Sequence, residues 1–115
     1  ATVTTYTSYL AYTHAYGTHV DRLGDPNGKY FWQLPDHGQP FPLEQRSLDI
    51  YAVHDPYYQY RILTLPTGFS TRTGINIPQF SFPGGARQVQ FLAGKYVLTA
   101  NECLQLGILA EEGEN

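Results

Sequence analysis

The pattern of apolar and polar residues divides the chain into short β-like runs separated by glycine- and proline-rich breaks. The clearest strand is Tyr57 to Leu65 (YYQYRILTL), built of β-favouring types and stopped by Pro66. Phe69 to Ile77 is its natural partner across the Pro66-Thr67-Gly68 turn, and Arg87 to Phe91 resumes after Pro83-Gly84-Gly85. Upstream, Thr18 to Leu23 ends in the dense turn cluster Gly24-Asp25-Pro26-Asn27-Gly28, and Lys29 to Gln33 is a short aromatic strand. Residues 1–16 carry two signals. Their Thr and Tyr content favours a strand, which is the expectation adopted, while Tyr9, Tyr12 and Tyr16 stand at helical spacing. Pro35, Gly38, Pro40 and Pro42 mark a loop, after which Leu43 to Leu48 can form one helical turn. The best-signed helix lies near the end. Thr99 caps it, Glu102 completes a capping box, Leu98 and Cys103 are placed for a hydrophobic staple, and Gly107 closes it. Residues 111–115 read as a frayed, solvated tail.

Several short strands with one or two small helices, and no alternation of strand with long helix, predict an α+β domain. The expected architecture is one small domain over 1–115, built on a bent antiparallel or mixed sheet. Composition narrows the class of function. Only 15% of residues are charged, and the net charge of −3 lacks the basic stripe of a nucleic-acid binder, so no nucleic-acid partner is expected. Ten Tyr, six Phe and one Trp give the domain its ring-rich character. A single cysteine excludes an internal disulfide and a cysteine-only zinc cluster. No run approaches a membrane span, and the first residues lack the form of a signal peptide, so no membrane insertion by this domain is expected. The absence of methionine suggests a mature or excised piece of a longer protein.

The common dinucleotide, phosphate-loop, zinc-protease and serine-hydrolase motifs are all missing. His14, His19, His37 and His54 are scattered without metal-pair spacing, and neither a metal site nor a resident cofactor is expected. Three segments join Arg or Gln to glycine, proline or aromatic neighbours: Val20 to Phe31, Pro42 to Leu48, and Ile77 to Gln88. Here the chain resembles the tuberculosis necrotizing toxin family of NAD glycohydrolases. The resemblance runs over residues 17–109. It rests on the Gly17 to Arg22 segment (Gly-Thr-x-Val-Asp-Arg), the Arg46 turn, Gly84-Gly85 followed by Gln88, and the closing Leu104-x-x-Gly107-x-Leu109. Leu23 stands where the family pattern has an aromatic, Phe80-Ser81-Phe82 replaces its Gly-Gln-rich approach to Pro-Gly-Gly, and Arg87 is additional.

The resemblance implies hydrolysis of the nicotinamide–ribose bond of NAD+ or NADP+, on a fold related to ADP-ribosyl transferases. It also implies a toxin, secreted or delivered into a target-cell cytosol, either as the end of a larger bacterial effector or as a secreted fungal enzyme. A bacterial source would need a cognate immunity protein. The chemistry suits the residue types. Nicotinamide is already cationic in NAD+ and leaves as a neutral base, so the acid required by ordinary glycosidases is not needed. The resemblance makes Gln88 the catalytic amide, Arg22 the pyrophosphate contact and Arg46 a second phosphate or ribose contact. It puts Tyr30 or Phe31 against nicotinamide, with Phe80 and Phe82 as the facing wall. Arg87 facing the adenine ribose would favour a 2′-phosphate. Each residue also has a plainer reading: an ion pair of Arg22 with Asp21 or Asp25, a helix-end Arg46, an exposed strand Gln88, and core packing for the rings. Two other functions stay open at this point. A non-catalytic aromatic-rich β module would expose its rings on one face, and a nuclease toxin would use a histidine with an arginine.

Overall fold

The computed structural model describes residues 3–36, 38–46, 48, 50–78 and 83–112. Its strands are β1 (Val3–Tyr6), β2 (His19–Leu23), β3 (Phe31–Leu34), β4 (Tyr57–Ile62), β5 (Phe69–Ile75), β6 (Arg87–Ala93), β7 (Tyr96–Val97) and β8 (Leu109–Glu111). Two helices, α1 (Tyr9–Tyr16) and α2 (Ala100–Gln105), complete the α+β domain together with 3-10 turns at Leu43–Gln45 and Ile50–His54. The strands form one sheet in the order β1-β5-β6-β3-β2-β4-β8, with β7 extending β6, and every pairing is antiparallel. Of the expected antiparallel or mixed sheet, the antiparallel form is the one observed.

The strand expected over residues 1–16 is corrected to a short strand followed by a helix. Ser8 caps α1, its hydroxyl accepting from the Ala11 amide at 3.2 Å, and Gly17 ends it with φ 87°, its amide donating to Thr13 at 2.8 Å. The helical Tyr spacing prevails because the rings have somewhere to go. Tyr12 and Tyr16 both pack edge-on to Tyr6 of β1, with centroids 5.9 and 5.8 Å away. The frayed tail is corrected at its first two residues. Glu111, in β8, pairs with Tyr60 of β4, and the Glu112 amide donates to the Gln59 carbonyl at 2.8 Å.

Helix α2 forms where its local signals place it. The Thr99 hydroxyl accepts from the Glu102 amide at 3.1 Å, the Glu102 carboxylate accepts from the Thr99 amide at 2.8 Å, and Leu98 and Cys103 are buried together. The core lies on the sheet face that α1 and α2 cover, where Phe31, Val20, Tyr60, Val89, Phe91 and Ile108 meet. Burial pushes the Cys103 thiol up to about 12, with the Glu102 charge adding to it. Because the thiolate is the nucleophile, iodoacetamide at pH 8 is expected to leave Cys103 unmodified in the folded protein and to label it in denaturant. Mass spectrometry reads both states, and labelling of the native protein would show that the α2 core opens.

Candidate functional site

The face of the sheet away from the core is set by strand register. Side chains directly opposite one another across antiparallel strands share a face, and one such row runs Asp21, Trp32, Gln88, Gly74, Val3 across β2, β3, β6, β5 and β1. Two residues further along β6 and β5, Gln90 faces Arg72 on the same side. Gly74 adds no side chain to this row. A cleft of about 440 Å³ opens over it, lined by Tyr30, Trp32, Arg46, Arg72, Asn76, Gln88 and Gln90 with apolar Val3, Leu48, Ile75 and Ile77 at its margins.

Gln88 stands in this cleft with an uncommitted side-chain amide among the described residues. The contrast with its neighbours is sharp. Gln33 donates to the Tyr16 carbonyl at 3.0 Å, Gln59 to the Tyr57 hydroxyl at 3.1 Å, and Gln90 accepts from Arg72. Trp32 is fixed by donating its indole N–H to Asn76 Oδ1 at 2.6 Å. Tyr30 is half exposed at the cleft, whereas Phe31 is 0% exposed and packs edge-on to Tyr60 and Phe91 in the core. Of Tyr30 and Phe31 it is therefore Tyr30 that lines the cleft, and the expected role of Phe31 at the site is corrected to core packing. Neighbouring residues point to opposite faces, so one ring had to be lost to the site.

The arginines differ from expectation. Arg46 lines the cleft but is 2% exposed, and each of its three guanidinium nitrogens donates a hydrogen bond. It donates through Nη1 and Nη2 to the two Asp21 carboxylate oxygens at 2.6 and 2.9 Å and through Nε to the Phe41 carbonyl at 2.9 Å. Tyr57 donates to the same carboxylate at 2.8 Å. Burial pushes the Asp21 carboxyl up, against the lowering effect of Arg46. Arg46 thus braces the wall beside Trp32, whose ring lies 5.3 Å away, rather than offering a free fork to an anion.

Arg22 lies on the core face, opposite Gln88. It donates to the Tyr30 carbonyl at 2.6 Å and the Asp25 carbonyl at 2.8 Å, closing the turn beneath Tyr30 instead of entering the cleft. Arg87 is also on the core face, stacked 4.2 Å from the Tyr16 ring centroid, which removes the geometric basis for its reading a 2′-phosphate. Phe80 and Phe82 lie outside the described residues.

No carboxylate or histidine lines the cleft among the described residues. His19 sits elsewhere, within 3.2 Å of both Asp36 and Glu112, beside a second depression of about 430 Å³. Among the described residues, no group of three or more His, Cys, Asp and Glu side chains could hold a metal ion, and no helix is long and apolar enough to cross a membrane. Sequence reading missed Trp32, Asn76, Arg72, Gln90 and the bracing role of Asp21. The two-residue period from Gln88 to Gln90 was the available signal, but the partner of Gln90 comes from the register with β5.

Comparison with known proteins identifies the family of the chain. The profile of the family described as tuberculosis necrotizing toxin matches residues 13–111. The chain is 32% identical over 107 residues to the outer membrane channel protein CpnT of Mycobacterium bovis, and equally to that of Mycobacterium tuberculosis, covering 92% of this chain. It spans 12% of the length of those relatives. A solved structure described as tuberculosis necrotizing toxin complexed with its immunity factor IFT superposes with a TM-score of 0.89 at 32% identity, over 96% of this chain and 55% of that one. With most of its length matched by the profile, and with sheet and sequence alike, the chain belongs to the tuberculosis necrotizing toxin family.

Proposed function

We propose that the domain is an NAD(P)+ glycohydrolase that acts as a toxin by depleting dinucleotide. Water adds to C1′ of the nicotinamide ribose while the C1′–N bond breaks. Its electron pair passes to the ring nitrogen, nicotinamide leaves neutral, and the proton of water goes to solvent. NAD+ or NADP+ is substrate, and no resident cofactor takes part. The observation that carries the reading is the uncommitted Gln88 amide in a cleft that, among the described residues, offers rings and a cation but no carboxylate. That set suits a reaction whose leaving group needs no protonation and whose water or ribose hydroxyls need orienting. Tyr30 supplies the half-exposed face for nicotinamide. A nuclease is less well served, since His14, His19 and His54 all lie off the cleft and His37 lies outside the described residues.

The test is release of fluorescence from etheno-NAD+ by wild type and Gln88→Ala. Hydrolysis by wild type is expected, with kcat lower by about a hundredfold in the variant, the order found when one preorganised donor is lost. No hydrolysis by folded wild type would sink the reading. Full activity in the variant would remove Gln88 from it.

The domain would act as part of a longer secreted or delivered protein, in the cytosol of a target cell. A producing bacterium would then need a dedicated inhibitor over the cleft. The similar toxin is complexed with its immunity factor, which supports this. Mixing the domain with such a protein should abolish hydrolysis.

A further inference from the structure

Seven Lys and Arg residues supply the positive charge of this chain, and their placement leaves one of them free to meet an anion in the cleft. Arg46 is neutralised by Asp21. Arg22 and Arg87 are on the core face. Arg61 stands 3.5 Å from Glu112, away from the cleft. Lys29 lies over the Tyr96 ring, and Lys95 is exposed in the turn between β6 and β7. Arg72 alone combines a place in the cleft with a charge that no carboxylate offsets among the described residues.

Arg72 is also held in place. Its Nε and Nη2 donate to Gln90 Oε1 at 3.1 and 2.7 Å, a neutral acceptor that orients the guanidinium and leaves its other N–H groups available. Along β5 the next residue on this face is Gly74, so nothing from that strand covers the floor beside it. Gln88 is the diagonal neighbour of Arg72 across β6, a relation that puts the two side chains about 7–8 Å apart at their bases. One ligand can therefore touch both.

We infer that Arg72, braced by Gln90, is the phosphate-binding residue of the cleft and grips the phosphate on the 5′ carbon of the same ribose whose C1′ is presented to Gln88. This rests on the proposed NAD+ hydrolysis. It assigns to Arg72 the anion contact expected of Arg22 and Arg46, and it places the nicotinamide-side phosphate, not an adenosine 2′-phosphate, at the guanidinium.

The experiment compares wild type, Arg72→Ala and Arg72→Gln, with Arg61→Ala as a control for lost charge. Steady-state hydrolysis of NAD+, NADP+ and nicotinamide mononucleotide is measured beside calorimetric binding of ADP. Both Arg72 variants should raise KM for all three substrates by at least about tenfold, the value of one hydrogen bond between charged partners, with kcat little changed. Binding of ADP should weaken by a similar factor, and Arg61→Ala should match wild type. An unchanged KM overturns the assignment, and so does a defect confined to NADP+, which would mean that the charge serves the 2′-phosphate. If wild type hydrolyses no dinucleotide, the proposed function fails and ADP binding decides alone. Binding weakened by both Arg72 variants then upholds the phosphate site, whereas equal binding by the variants, or none by wild type, removes it.

Discussion

Asp21→Ala is expected to destabilise the domain by about 3–5 kcal/mol, measured as a fall in the urea midpoint with unchanged slope. The mutation does not simply delete a bond. It leaves the Arg46 guanidinium, 2% exposed, with no counter-charge, and the Tyr57 hydroxyl without its acceptor. Burying an unpaired charge is far more costly than the net worth of the pair, and domains of this size have only about 5–15 kcal/mol in reserve. The double variant Asp21→Leu with Arg46→Leu should therefore be more stable than Asp21→Ala alone, since it removes the orphaned cation together with its partner. It should still hydrolyse NAD+ poorly, because the wall behind Trp32 loses the guanidinium lying 5.3 Å from its ring. A loss below about 1 kcal/mol in Asp21→Ala would show that water reaches Arg46 and that the pair is not sealed.

These contacts mark where sequence reading ends. Helix α2 was legible because its cap, box and staple are local and agree with one another. The exclusion of either Tyr30 or Phe31 from the site was legible too, because it follows from the two-residue period of a strand, although which one was lost was not. Helix α1 was misread because the β preference of Thr and Tyr is local, while the factor that decides the segment is the packing of Tyr12 and Tyr16 on Tyr6. The Asp21–Arg46 pair joins a strand to an irregular segment 25 residues away, and no periodicity encodes that distance. Arg22 and Arg46 stand out in the sequence by their motif turns, but residue type alone does not say whether a fork will meet a ligand or a carbonyl. Arg72 was passed over because its environment is made by register with β6, a relation between strands and not a motif.

Arg22→Ala should cost about 3 kcal/mol or more and also abolish most hydrolysis, through Tyr30 and not through contact with substrate. Arg22 is buried and makes two charge-assisted bonds to carbonyls, each worth about 1.5–3 kcal/mol. One of those carbonyls belongs to Tyr30, so loss of the guanidinium frees the backbone that aims the ring at the cleft. Gly28 offers an independent way to make the same change. A Cβ at position 28 would fall on the Arg22 guanidinium, which the two carbonyls hold in place, so Gly28→Ala must displace it without deleting it. Thermal melts and etheno-NAD+ kinetics on both variants should show parallel losses of stability and of activity. If Arg22→Ala instead melts like wild type and is inactive, Arg22 reaches the substrate directly and the scaffold role is wrong. If Gly28→Ala is inactive and unstable while retaining every arginine, the turn beneath Tyr30 is what the activity requires.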